Sequence, residues 1–136
     1  MHHNLRISEA ASLALHAMAL LAGDERRSRP TREMAEVLKV SDHHLAKVMQ
    51  RLGRAGLVES QRGPRGGFRL ARRRATISLL EVYEAVEGPL PGPTCLLGRP
   101  ACQGPCALGG LLQKLGDDVK GYLARTTLGD LAAGLG

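Results

Sequence analysis

Three cysteines lie within twelve residues of this 136-residue chain, in the pattern Cys-x6-Cys-x3-Cys formed by Cys95, Cys102 and Cys106. Thiolates are soft ligands, and three of them in one loop rich in glycine and proline suit an iron-sulfur cluster or a thiophilic metal better than a hard cation. The spacing differs from the paired Cys-x2-Cys of zinc ribbons and thioredoxin-like sites, and three thiolates leave one tetrahedral position unfilled. Ordinary thiols without a metal are the alternative that the pattern leaves open.

A second segment with chemistry of its own covers residues 56–70. Its two short apolar runs, 57–58 and 68–70, are joined by a turn rich in glycine and proline, which predicts a β-hairpin. Guanidinium groups on such a hairpin suit phosphate oxygens and the negative potential of a narrow minor groove. The hairpin arginines are Arg62, Arg65 and Arg69. The pattern therefore predicts the wing of a DNA-binding domain.

The segment before the hairpin reads as three helices that end in a helix-turn-helix pattern. Apolar periodicity predicts a first helix over residues 5–22 and a second that starts at Pro30-Thr31, with Thr31 as its N-cap, and runs to about Lys39. Ser41 caps a third helix, whose apolar stripe faces the core. The other face of this third helix carries donors for phosphates or base edges, as a recognition helix requires. With Ser41, we expect these DNA-binding residues to be His43, His44, Lys47 and Arg51.

The pattern in the remainder of the chain predicts one helix before the cysteines and one after them. An amphipathic helix over 78–87 ends at Gly88-Pro89, and a second helical pattern runs from residue 107 to about 125 before a short last segment. We expect residues 1–87 to form the DNA-binding domain, 88–106 a cysteine loop, and 107–136 a dimerisation helix with a C-terminal segment. A two-fold homodimer would bury the long helix and present two wings to a near-palindromic operator.

The distribution of charge limits the class of partner. Residues 1–74 carry fifteen Lys and Arg against seven Asp and Glu, whereas residues 75–136 carry four against six. A basic excess confined to one structural unit indicates a polyanion such as double-stranded DNA. The longest apolar run, residues 13–22, is too short to span a bilayer, and the N-terminus lacks a signal-peptide pattern. We therefore expect a cytoplasmic protein that does not bind membranes and whose cysteines do not form a disulfide framework.

Taken together, four pieces of the chain resemble the IscR/NsrR/RirA family of bacterial transcription regulators, and the match covers nearly the whole sequence. The pieces are the wing motif (Gly56-Leu57-Val58, Arg62-Gly63-Pro64 and Gly66-Gly67-Phe68), Ile77-Ser78-Leu79-Leu80-Glu81-Val82 with Glu87-Gly88, the three-cysteine loop, and Thr126-Thr127-Leu128-Gly129-Asp130-Leu131. The resemblance implies a winged helix-turn-helix homodimer, mainly α with a small β-hairpin wing and a long dimerisation helix. It further implies that Cys95, Cys102 and Cys106 hold a 2Fe-2S or 4Fe-4S cluster whose state controls operator binding.

The resemblance also bears on the fourth cluster ligand, which varies among family members. Some members use a histidine just after the third cysteine, but Ala107 and Leu108 follow Cys106 here. Others use a carboxylate or histidine on the first helix of the partner subunit, and His16 lies where that histidine would be. The neighbouring acidic position is Ser12 in this chain. A polar residue satisfied by a backbone carbonyl is the alternative interpretation of His16.

The sequence thus predicts a sequence-specific transcriptional repressor whose operator affinity depends on a cluster that senses nitric oxide, redox state, iron or cluster supply. A winged-helix regulator without a cluster, controlled by a thiol or zinc switch or by a protein partner, is the alternative. An enzyme with a Cys/His nucleophile pair has no support beyond the residue types, since no phosphate loop, paired carboxylates or orienting acid accompany them.

Overall fold

The computed structural model describes residues 7–64, 66–90, 95, 97, 101, 103–106 and 108–135, the last three by backbone alone. The described residues form six α-helices, one 3₁₀ turn and an antiparallel hairpin. In chain order these elements are α1 (Glu9–Ala22), α2 (Thr31–Leu38), α3 (Asp42–Arg54), β1 (Val58–Gln61), β2 (Gly67–Leu70), a 3₁₀ turn (Arg74–Thr76), α4 (Leu79–Glu87), α5 (Gly109–Arg125) and α6 (Leu128–Leu135). This mainly helical fold with a small hairpin confirms the predicted fold class. No helix in the described ranges is long and apolar enough to cross a membrane.

The first helix, α1, forms the centre of the core. It begins at Glu9, where the Ser8 hydroxyl accepts a hydrogen bond from the Ala11 N–H at 3.0 Å, and not at residue 5 as the periodicity predicted. This side-chain cap fixes the start of the helix because it satisfies one of the first N–H groups that lack a helical partner. Most buried α1 residues are alanines, whose small side chains let α3, α4 and α6 approach closely.

Helices α2 and α3 form the expected helix-turn-helix. The predicted cap of α3 is confirmed, because the Ser41 hydroxyl accepts from the His44 N–H at 3.0 Å. The predicted cap of α2 is wrong: Thr31 is the first helical residue, and the extended Pro30 precedes it with no side-chain cap. Proline suits this position because its fixed φ leads into a helix and it has no N–H to satisfy. Lys39 ends α2 in the left-handed region, at φ 57°.

The hairpin pairs β1 with β2 in antiparallel register, with Val58 opposite Leu70 and Gln61 opposite Gly67. A single antiparallel bridge adds the segment before α2 to the other edge of β2: the Arg29 N–H donates to the Phe68 carbonyl at 2.8 Å, and the Phe68 N–H donates to the Arg29 carbonyl at 2.9 Å. Gly67, at φ +140°, makes this approach possible, since a Cβ there would lie 2.2 Å from the Arg29 oxygen.

Helix α4 starts with a complete capping box between Ser78 and Glu81. Arg72, after the wing, donates to both Glu81 carboxylate oxygens at 2.9 and 3.2 Å. This hydrogen bond from Arg72 lowers the pKa of Glu81 below its ordinary value of 4.5, while burial opposes the shift. Burial raises the pKa of Tyr83, further along the helix. The capping box and the Arg72 pair fix α4 against the end of the wing.

Main-chain hydrogen bonds join the start of α4 to the end of α5 and the residues that follow it. The Leu79 N–H donates to the Thr126 carbonyl, and the Leu128 N–H donates to the Ile77 carbonyl, both at 2.9 Å. Leu128 is fully buried and α6 packs on α1, so the C-terminal segment contributes to the same core. By contrast, the outer face of α5 includes exposed large apolar side chains, with Leu111 at 52% and Tyr122 at 62%.

Candidate DNA interface and cysteine segment

The exposed face of α3 carries the expected donors near its start. Ser41 and His43 are exposed, His44 is half-buried, and the Lys47 side chain lies one turn further on in solvent. Four apolar residues on the opposite face, Leu45, Val48, Met49 and Leu52, are buried in the core and fix the rotation of the helix. His44 Nδ1 lies 4.0 Å from a Glu9 oxygen, at the edge of ion-pair range. The face therefore leaves Lys47 and the helix start accessible to a groove.

Among the predicted DNA contacts on α3, Arg51 donates a hydrogen bond to the main chain of another helix. Its Nη1 donates to the main-chain oxygen of Val86 at 3.0 Å. Val86 lies in the last turn of α4, where carbonyl groups lack a helical partner and attract positive charge. Arg51 thus joins the recognition helix to the end of α4.

The wing arginines differ in their partners. Arg62 is exposed next to the turn and makes no hydrogen bond or ion pair within the described residues. Arg69 is held across the two strands by Glu59, with 2.6 Å between its Nε and the carboxylate. Arg65 lies outside the described residues. Arg62 is therefore the described wing cation whose charge is not already compensated.

The pairing of Arg29 with Phe68 draws attention to a residue that sequence reasoning missed, Arg32. The pairing brings the start of α2 against β2, since a Cβ on Gly67 would lie 2.5 Å from the Pro30 nitrogen. The Arg32 side chain in the first turn of α2 is 82% exposed, and its Glu36 partner is 3.9 Å away. The predicted helix start at Pro30-Thr31 was a usable signal for this position, but its nearness to the wing depends on the long-range bridge.

The cysteine segment connects α4 to α5. Cys95 is half-buried and Cys106 is exposed, while Cys102 lies outside the described residues. The Cys106 carbonyl accepts from the Gly109 N–H at 3.1 Å, so the third cysteine immediately precedes the first turn of α5. Among the described residues no group of three or more His, Cys, Asp and Glu side chains could hold a metal ion. Only two of the three predicted thiol ligands are among them.

His16 and the described cysteines do not share a cavity. His16 borders an open cavity of about 230 Å³ lined by Glu9, Ser12, Leu13, Leu38 and Val40, and neither Cys95 nor Cys106 lines that cavity. Its Nδ1 is 2.7 Å from the Ser12 carbonyl. A carbonyl can only accept, so this hydrogen bond requires a proton on Nδ1. The Nε2 of the neutral ring then keeps its lone pair, which is how ligating histidines are commonly oriented.

Comparison with known proteins agrees with this architecture. The family model for Rrf2, described as an iron-dependent transcriptional regulator, matches residues 7–134. The HTH-type transcriptional regulator IscR of Escherichia coli is 32% identical over 130 residues, which are 93% of this chain and 80% of that protein. CymR, the global cysteine regulator of B. subtilis, superposes with a TM-score of 0.83 at 29% identity, covering 95% of this chain and 97% of CymR. An oxidized form of Staphylococcus aureus CymR gives 0.79 at 29% identity, covering 94% and 96%.

Proposed function

Because the chain belongs to the Rrf2 family of transcriptional regulators, we propose that it is an operator-binding repressor whose DNA affinity is controlled at the cysteine segment by an iron-sulfur cluster. The chain is a regulator and not an enzyme. The observation that carries the proposal is the placement of Cys95 and Cys106 between two helices that both belong to the winged-helix unit. Chemistry at the segment can therefore change how α4 and α5 are held.

Two surfaces bind the DNA in this proposal. The start of α3, with Ser41, His43, His44 and Lys47, enters the major groove, where polar side chains and protonated or neutral imidazoles can reach base edges and phosphates. Arg62 and Arg65 of the wing contact the adjacent minor groove. Arg32, at the start of α2 beside the wing, adds a phosphate contact. Arg69 supports the wing through Glu59 and contributes less net charge to the interface.

Salt dependence tests the wing contact. Replacing Arg62 with alanine removes one exposed cation that has no partner in the described residues, so the slope of log affinity against log salt should fall by about one phosphate's worth, near 0.9. Arg73→Ala, which removes an exposed arginine outside the wing, is the charge-matched control and should leave the slope unchanged. Equal slopes for wild type and the Arg62 variant would exclude a phosphate contact at this position.

The donor set fits the cluster. Cys95, Cys102 and Cys106 would supply three thiolates. Cys95 is half-buried and Cys106 is exposed, so a loop that folds around a metal group could bring both thiols to it. The family description itself names iron dependence. When bound, the cluster supplies iron–thiolate bonds that cross-link the segment and are broken by oxidants, nitric oxide or iron loss. His16, with Nε2 available, is the candidate fourth ligand and would be contributed by the partner subunit.

A homodimer would explain the apolar outer face of α5. Leu111 and Tyr122 are exposed on this helix and Leu108 is exposed just before it, and large exposed apolar side chains on one face commonly mark a protein interface. A two-fold axis along α5 would present two copies of α3 and of the wing to the operator. Leu111→Glu should shift the protein to monomers in sedimentation velocity, whereas Lys120→Glu, at an exposed polar position of α5, should not. A Leu111→Glu protein that stays dimeric would show that the dimer interface does not include this face of α5.

The first experiment is anaerobic purification with visible absorption, iron and sulfide measured per chain. Matched iron and sulfide, together with operator affinities that differ between the cluster-loaded and cluster-free protein at one salt concentration, are the expected results. Cys106→Ser should lose the colour and the difference, while Gln103→Ala, an exposed residue of the same segment, should keep both. A colourless protein that cannot be reconstituted would refute cluster control.

A thiol switch is the second candidate, favoured by the exposed Cys106 and by the similarity to CymR, for which an oxidized form is known. In that case two cysteine thiols would lose two protons and two electrons to a peroxide, giving a disulfide and water. Operator affinity of the metal-free protein should then change after peroxide treatment and return with a thiol reductant. Unchanged affinity of the metal-free protein would exclude this candidate.

A further inference from the structure

The last turn of α4 is held by two other helices, just before the chain enters the cysteine segment. Arg51 of α3 donates to the Val86 carbonyl at 3.0 Å, and the Ser8 hydroxyl at the start of α1 hydrogen-bonds to the Glu87 carboxylate. Val86 itself is buried in the common core. The end of α4 is therefore a junction between the recognition helix, the first helix and the segment that carries Cys95.

Gly88, the residue that follows α4, connects this junction to the cysteine segment, so the position of that segment affects the junction. Gly88 has φ +81° and ψ −178°, a conformation that is essentially confined to glycine. Its N–H donates to the Glu84 carbonyl at 2.9 Å, which closes the helix. The Val86 carbonyl is one of the end groups that no later residue of α4 can satisfy, so Arg51 is its partner.

From these contacts we infer that Arg51 is a positioning residue, which couples the state of the cysteine segment to the placement of the recognition helix through the Val86 carbonyl. The sequence pattern had assigned Arg51 to DNA. Although Arg51 is an exposed residue, its Nη1 donates to the end of α4, so a shift of that helix end would be transmitted to α3 through this hydrogen bond. This inference depends on the proposed control of DNA affinity at the cysteine segment.

The test compares Arg51→Gln with Lys47→Gln, which removes the same charge one turn earlier on α3. Operator affinity is measured by fluorescence anisotropy for the cluster-loaded and cluster-free protein over a range of salt concentrations. Couplings between sites are typically about 5- to 150-fold, so the wild-type ratio of the two affinities should fall in that range. Arg51→Gln should bring the ratio to within about twofold of one and keep the wild-type salt slope, as expected for loss of coupling without loss of a phosphate contact.

The control should behave in the opposite way. Lys47→Gln should lower the salt slope by about one phosphate's worth and keep the ratio. Arg51→Lys should restore part of the ratio, because an ammonium group can donate to the Val86 carbonyl. Thermal unfolding by circular dichroism establishes that each variant is folded. An Arg51→Gln protein with a lowered slope and a wild-type ratio would overturn the inference and make Arg51 a phosphate ligand.

A second readout separates failure of this inference from failure of cluster control. If the cysteine segment and the recognition helix share one geometry, operator DNA should change the accessibility of the cysteine thiols in the cluster-free protein, which their alkylation rate reports. Arg51→Gln should abolish this change, whereas Lys47→Gln should preserve it at saturating DNA. If wild type shows the DNA-dependent alkylation but no cluster dependence, cluster control fails while the Arg51 coupling stands. If Arg51→Gln keeps the DNA-dependent change, the coupling role is wrong.

Discussion

Gly67→Ala should separate β2 of the wing from the segment before α2. Gly67 has φ +140°, and the new Cβ would lie 2.2 Å from the Arg29 oxygen and 2.5 Å from the Pro30 nitrogen. Those are main-chain atoms, so no side-chain rotation relieves the overlap. The segment before α2 must therefore separate from β2.

The expected cost has two contributions. A non-glycine residue in this backbone region costs about 1–3 kcal/mol. Separation of the strands also breaks the two Arg29–Phe68 hydrogen bonds of 2.8 and 2.9 Å, each with a net value of about 0.5–1.5 kcal/mol. The sum is roughly 2–6 kcal/mol, a large part of the 5–15 kcal/mol that typically stabilises a domain.

Urea unfolding followed by circular dichroism measures this change directly. Gly63→Ala is the matched control. Gly63 lies in the turn of the same hairpin at φ +104°, and a Cβ there would have no atom within 4 Å. This variant should show backbone strain alone, about 1–2 kcal/mol. A Gly67→Ala protein that is no less stable than the Gly63→Ala protein would refute the close approach of β2 to the Arg29 segment.

Three further substitutions test other parts of the fold. Lys39→Gly should raise the free energy of unfolding by about 0.5–1 kcal/mol, because Lys39 occupies the left-handed region at φ 57°; a decrease in urea unfolding would contradict the strain. Glu81→Gln should lower stability by about 1 kcal/mol at neutral pH, since it removes the two-point Arg72 pair but keeps a capping side chain. The lowered pKa of Glu81 means that its contribution is present above 4.5 and is lost as pH falls through the folded-state pKa, so the two stabilities should converge in acid; a pH-independent gap would refute this pair as the cause. Leu128→Ala, at a fully buried position, should cost about 2–5 kcal/mol in thermal unfolding, and a near-neutral result would mean that α6 does not share the core.

Local patterns predicted much of the fold. The Ser41 cap, the apolar stripe of α3 and the Ser78 start of α4 all depend on residues within one or two helical turns, and the structure has them where the spacing placed them. The cap at Thr31 failed for a local reason as well, because Pro30 already supplies the backbone geometry that begins α2. The predicted start of α1 was too early because the apolar pattern continues before Ser8, whereas the Ser8 cap begins the helix at Glu9.

The partners of charged side chains could not be predicted in the same way. Arg51 and Arg62 are equally basic in the sequence and both are exposed, yet Arg51 donates to a carbonyl 35 residues away while Arg62 has no partner within the described residues. The bridge at Arg29 could not be predicted for the same reason, since it requires β2 and the α1–α2 connection to meet in space. Charge and periodicity identify a basic face, but tertiary contacts decide which of its cations are available to DNA.

In the proposed mechanism, the arrangement of α4 and α5 connects chemistry at the cysteine segment to DNA binding. The two helices are joined at one end by the hydrogen bond from the Leu79 N–H to the Thr126 carbonyl, and the cysteine segment connects their other ends. A cluster or a disulfide in that segment would restrict the distance between Gly88 and Gly109 while the joined end stays fixed. Since Arg51 donates to the Val86 carbonyl at the end of α4, such a restriction would act on the recognition helix whichever chemistry imposed it. The two candidate signals therefore differ in what they sense, and the protein's response to either would use the same contacts.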